Sequence, residues 1–350
     1  MWIALGLFFT LWWTWVGFAV LYNRHGADAP LQRLLFLAGS VPAGVAAVAI
    51  EPAADGDTAV FAASLAITRL VLAAISVVHE DSPPRVTRAC LASAALFGLS
   101  VVAPEPFRYV LWGIAISVES SSMLVEDREA ARRARRDHDW SALAPADPDA
   151  AVDAHHFAER FGLFLIILLG EVLVEAGQAS SAGELDTTGV WAALVAAMLL
   201  AGALWWLYFD SAAEVNLKVL ELSGGSPTMA RAIFAVGHML PCFALLITAS
   251  GVGLLLEPDP PAIAYWLASI GVGMYLAGTR AFLVGHSRVP PAIRTLMIVA
   301  TFWFGQLHGD LSGHAYLWLL AGWVILCAAL ATRHARGGTR THNATVGSPF

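Results

Sequence analysis

Long apolar runs follow one another along nearly the whole chain, each closed by a short polar or Pro/Gly-marked turn. A helix of about 20 apolar residues matches the hydrocarbon thickness of a bilayer. The pattern predicts eleven such helices, over roughly residues 1–22, 31–50, 58–78, 87–103, 107–125, 157–178, 188–209, 231–256, 261–284, 293–307 and 315–332. Two of them, 87–103 and 293–307, are short enough to be tilted or paired differently. Polar positions gather in one longer stretch, 126–156, rich in Arg, Asp, Ala and Pro. The expected organisation is five helices over 1–125, a cytoplasmic linker over 126–156, six helices over 157–332 and a disordered cytoplasmic tail over 333–350.

Three landmarks recur in the same order in the two halves. Leu11-Trp12-Trp13 is matched by Leu204-Trp205-Trp206, and Arg33-Leu-Leu-Phe36-Leu-Ala-Gly39-Ser40 by Arg231-Ala-Ile-Phe234-Ala-Val-Gly237-His238. Pro83-Pro84-Arg85 is matched by Pro290-Pro291 with Arg294 behind it. Such self-similarity predicts an internal duplication, which in membrane proteins commonly frames a central site. Corresponding helices run the same way, so the fold class expected is an all-α integral membrane protein of two parallel repeats, 5+6. The helix over 157–178 has no counterpart in the first half, as though the first repeat lacked its first helix.

Composition agrees, with 58% hydrophobic and only 13% charged residues, against roughly a quarter charged in soluble domains. Eighteen of the twenty basic residues fall on alternate loops, Arg69 and Arg108 being the exceptions, while the opposite loops carry Glu51, Asp55, Asp57, Glu184, Asp186, Glu257 and Asp259. The positive-inside rule then places the C-terminal tail in the cytoplasm and Met1 outside. The net charge of −7 says little about nucleic acid, but no basic face interleaved with aromatics appears, and no nucleic-acid partner is expected. Cys90, Cys242 and Cys327 all lie in predicted spans, so no disulfide framework is implied. Met1–Tyr22 lacks a basic n-region and a small-residue cleavage site, and reads as a span.

A charged side chain at the bilayer centre costs at least about 2.5–3.5 kcal/mol, so each one needs a partner or a role. The most loaded helix runs from His155-His156-Phe-Ala-Glu159-Arg160 to Gly170-Glu171 and Glu175. Arg160, Phe164, Ile167, Glu171 and Glu175 fall on one stripe, with Glu171 roughly 16 Å along the axis from Arg160. Glu171 is the first candidate for handling a proton or cation in a central cavity, and a buried polar anchor is the competing reading. Glu175 lies nearer the outer surface. Glu159 and Arg160, at the cytoplasmic mouth, suit interfacial salt bridging. A metal held by His155, His156 and Glu159 is not expected, because the spacing is not an established ligand pattern and a further ligand is missing.

Arg231 and His238 share a helix face. Arg33 and Arg231 occupy equivalent positions and read as cytoplasmic gates, whereas His238 stands opposite Ser40 and adds a group titrating near neutrality. Asp210 is expected to pair with Arg231 or Lys218. Arg69 and Glu119 form one candidate compensating pair inside the membrane. No phosphate loop, dinucleotide fingerprint, zincin motif or nucleophile elbow is present in the sequence, and no cofactor is expected. Gly251-Val-Gly253 and Gly271-Val-Gly273 suit helix packing.

His156-Phe157-Ala-Glu159-Arg160 through Gly170-Glu171, with Trp205-Trp206-Leu-Tyr208-Phe209-Asp210 and Arg231 to His238, resembles the bacterial low temperature requirement protein A family over essentially the whole chain. The resemblance implies a multi-pass protein of the bacterial inner membrane and implies no activity. Members of that family usually begin with a further helix carrying an acidic Leu-Phe-Phe-Asp-like motif, which is absent here. Three readings stay open. The first is a secondary transporter or ion-conducting protein for a small solute or ion. The second is a membrane-embedded enzyme acting on a lipid or isoprenoid, and the third a non-catalytic assembly or stress-adaptation protein.

Overall fold

The structure is a computed structural model, and it describes residues 2–25, 30–78, 84–124, 136, 140–145, 151–182, 187–279 and 289–345. Among these residues the chain is helical and has no strand, apart from a single bridge between His308 and Leu311. Each of the eleven apolar runs coincides with a helix, most within a few residues of the expected bounds. Among the described residues six helices are long and apolar enough to cross a membrane: Ile3–Asn23, Pro30–Val48, Ala59–Val78, Thr188–Leu222, Pro227–Leu255 and Gly313–Ala331. The last helix runs over Gly313–Thr345. Much of the expected linker, Arg128, Arg132, Arg133 and Arg135 included, lies outside the described residues, as do Arg280 and Arg288.

The chain forms two compact units. The first comprises Met1–Phe157 with Val219–Val236. Proline opens two of its helices, Pro30–Val48 and Pro84–Ser100, where the missing N–H is one that a helix start leaves unpaired anyway. Phe61, Leu65, Phe97 and Trp112 pack with Leu7 and Ala46 at its centre. The Trp112 indole donates to Ser100 Oγ at 2.8 Å, and the Trp12 indole to the Ala235 carbonyl at 2.9 Å. Gly39 lets the Phe18 ring lie against the Pro30–Val48 helix, because a Cβ there would come within 2.5 Å of the ring.

The second unit comprises Ala158–Lys218 and Gly237–Phe350. Its closest helix pair is Met239–Leu255 with Ala262–Gly278. Gly251 admits the backbone of Ala268, and Gly271 admits Thr248, so the two main chains approach as small residues permit.

Large apolar side chains remain on the outside of both units. Leu34, Leu37 and Val41 are each more than 60% exposed and Val48 is 82% exposed, all on one helix, and Trp191 and Met198 are exposed on another. Faces of that extent do not stay in water. They describe helices with lipid for a solvent.

Candidate functional site

The helix Ala154–Ala182 begins where Asp153 Oδ1 accepts the His156 backbone N–H at 3.0 Å, an N-cap in the usual geometry. Its 29 residues span about 43 Å, more than the hydrocarbon core of a bilayer. Phe161, Leu165, Leu169, Val172 and Ala176 form its buried stripe. Glu171 and Glu175 flank that stripe and are both half-buried, one turn apart on the same side. Glu175 packs against Gly253, where a Cβ would sit 2.7 Å from its Oε2. Among the described residues neither acid has a cationic partner.

His238 is buried at a break in the next helical rod. Pro227–Ala230 leads into a π-helical stretch, Arg231–Val236, before the α-helix Met239–Leu255. Pro241 supplies the physical cause, since it has no N–H for the Gly237 carbonyl and its ring pushes that carbonyl away. Regular bonding resumes with Cys242 N–H to the His238 carbonyl at 3.0 Å. The imidazole Nε2 lies 2.6 Å from the Tyr208 hydroxyl. The ring also packs on Phe161 at 5.4 Å between centroids. Tyr208 itself opens a second π-helical stretch, Tyr208–Ala212, inside the rod Thr188–Leu222. No proline or glycine explains that one. The Asn216 side chain reaches the Tyr208 hydroxyl, and Tyr275 caps the neighbouring Leu204 carbonyl at 3.1 Å. Tyr208 opens one widened turn and His238 stands two residues past another, and π turns recur at functional sites.

The first unit holds a different arrangement. Arg69, fully buried, donates through Nε to Glu119 Oε1 at 2.9 Å and through Nη2 to Oε2 at 3.2 Å. Its Nη1 donates to Thr14 Oγ1, and its guanidinium stands 5.0 Å from the Phe97 ring centroid. This fork-to-fork geometry satisfies both charges at once. The pairing expected from the sequence is present.

The remaining candidates do not converge with these. Glu159 is exposed and Arg160 half-buried. His155 pairs with Glu221 at 3.0 Å rather than with Glu159, and His156 stacks on Tyr22. Among the described residues no three His, Cys, Asp or Glu side chains stand close enough to hold a metal. Arg231 is buried, its Nε donating to the Pro227 carbonyl at 2.8 Å, while Arg33, which opens the similar sequence motif, is exposed, as is Asp210.

A sequence model of the bacterial low temperature requirement A protein (LtrA) family matches residues 2–332, nearly the whole chain. The chain belongs to the LtrA family. It is also similar to an uncharacterized protein of Rhizobium meliloti (strain 1021), at 27% identity over 296 residues, covering 81% of this chain and 69% of that one. No solved structure matches the chain. For this LtrA member the sequence singled out His238, Glu171 and Glu175 but named Tyr208 only as part of the Trp205-to-Asp210 motif. The signal for Tyr208 was indirect, because Pro241 marks the break that turns His238 toward it.

Proposed function

We propose that this LtrA protein is a secondary transporter or ion-conducting protein of the bacterial inner membrane, with Glu171 and Glu175 handling protons or cations. One observation carries the reading. Two carboxylates lie one turn apart on an apolar helix and have no cationic partner among the described residues. Intramembrane acids are costly unless they are paired or used. A structural anchor would resemble Arg69–Glu119, with every charged atom engaged. The His238–Tyr208 pair supports a protonic component, because imidazole exchanges protons near neutral pH. The reading keeps the duplication of five and six parallel helices, a cytoplasmic C-terminus and Met1 outside.

The test is flux in liposomes reconstituted with the purified full-length protein, with a pH-sensitive dye inside and a proton or alkali-cation gradient imposed. Wild type dissipates the gradient faster than protein-free vesicles. Glu171→Gln slows it at least about tenfold, the effect of removing one interaction worth about 1.4 kcal/mol. Equal flux through wild type and a folded Glu171→Gln variant would dismiss this site.

A further inference from the structure

His238 and Tyr208 are each only 3% exposed, and they bond one another. A histidine with a packing role alone could give its N–H to any carbonyl. Its partner here is a hydroxyl, and the Asn216 side chain bonds that same hydroxyl in turn. Asn216, on the helix Ala213–Leu222, is half-buried. The three side chains therefore run from a partly exposed amide to a buried ring.

Each member of this chain can reverse its role. A hydroxyl both donates and accepts, an amide carries donors and an acceptor, and a neutral imidazole has one nitrogen of each kind. With His238 neutral, the Asn216 amide donates to the Tyr208 oxygen and the hydroxyl donates to Nε2. With His238 protonated, Nε2–H donates to the Tyr208 oxygen and the hydroxyl donates to Asn216 Oδ1. Neither state loses a bond. A backbone carbonyl in place of Tyr208 would serve only a donor nitrogen, and a buried polar group left unpaired is costly. A partner fit for both states is what a histidine needs if it changes charge while buried.

The titratable groups beside the pair are Cys242, one turn along the same rod as His238, and Tyr275 of Ala262–Gly278, within electrostatic reach of Tyr208 and Cys242. Tyrosine and cysteine titrate above neutrality, which leaves His238 as the member that changes charge there. From Ala154–Ala182 the ring meets Phe161, and the charged residue beside that contact is the half-buried Arg160. Asp210, two residues past Tyr208, is exposed, and Arg231 is engaged with the Pro227 carbonyl. Glu171 lies ten residues beyond Phe161 on the same helix, roughly 15 Å along the axis. Direct proton exchange needs donor and acceptor about 3 Å apart, so His238 is a station separate from the carboxylates.

We propose that Asn216, Tyr208 and His238 form a reversible hydrogen-bond chain at which the protein takes up and returns one proton. The proton comes from water and goes back to it. The imidazole gains the proton and its charge, the Tyr208 hydroxyl turns from donor to acceptor at Nε2, and the Asn216 amide turns over to accept. Tyr208 and Asn216 are positioning residues. This station rests on the transport reading for its use, whereas its titration is measured without flux.

The experiment follows the imidazole signals of the full-length protein in detergent, labelled with nitrogen-15 histidine, by NMR from about pH 5 to pH 8. The His238 signal is the one absent from His238→Gln or, should that variant not fold, the one moved in Phe161→Leu, which removes the ring packed 5.4 Å away. A single titration of that signal within the window is expected. Tyr208→Phe should move its midpoint by at least about half a unit, a change of about threefold in proton affinity. Asn216→Leu should move it the same way by less. A His238 signal that keeps one form across the window overturns the proposal. So does a midpoint left in place by both variants, each checked as folded by its melting temperature. Flux separates this station from the carboxylate site. If His238 titrates as expected while Glu171→Gln leaves flux unchanged, the carboxylate site falls and the chain stands. If His238 keeps one form while Glu171→Gln slows flux, the chain alone falls.

Discussion

The two units treat intramembrane charge in opposite ways. In the first, Arg69 and Glu119 face each other as a closed fork, with Thr14 taking a further donor and Phe97 beneath the guanidinium. In the second, Glu171 and Glu175 stand together, like charge beside like charge, and the buried polar pair is the formally neutral Tyr208–His238. A charge that is fully satisfied holds a fold together and has little left to exchange. One that is not satisfied costs energy until something passing by engages it. The landmarks shared by the halves sharpen the contrast: Trp12 and Trp13 are buried whereas Trp205 and Trp206 are some 40% exposed.

The largest effect should follow from opening the closed fork. Arg69→Met leaves Glu119 buried without its cation, and removing one partner of a buried pair costs about 3–5 kcal/mol. Replacing both, as Arg69→Met/Glu119→Leu, should recover most of that loss in a detergent unfolding assay. If the single variant melts like wild type, the fork is not what holds the first unit. Next comes Tyr208→Phe, which takes the hydroxyl from His238 and should cost about 1–3 kcal/mol. A variant as stable as wild type would place the pair outside the structural framework. Gly253→Ala should cost about 1 kcal/mol, because the new methyl meets a flexible carboxylate end that can swing aside. It should also displace Glu175, seen as altered flux. The smallest stability change belongs to Glu171→Gln and Glu175→Gln, within about 0.5 kcal/mol, although both should slow flux. A large stability loss in either would erase the distinction between the units.

The helices were legible because each run of apolar residues has one physical outcome in lipid. Arg69 and Glu119 were legible for a similar reason, since a lone arginine in a span needs an acid and few were within reach. The surroundings of His238 were not. A 3.6-residue period places Arg231, Phe234, His238 and Cys242 on one stripe, but the π-helical turn at 231–236 shifts that register. Periodicity carries no sign of such widening; Pro241 does, three residues past His238. Nor did sequence separate Arg33 from Arg231, which share a motif and differ in burial. Burial depends on what packs alongside, and no linear repeat records that.

Gly251 and Gly271 clasp their hairpin from both sides. Two helices fastened at the backbone cannot slide past each other without tearing that contact, so they act as one lever. At one end of this lever is the His238 bend, and at the other the turn from Leu256 to Ala262. A tilt about the bend would carry that turn along with both helices, so the histidine and the turn are mechanically tied.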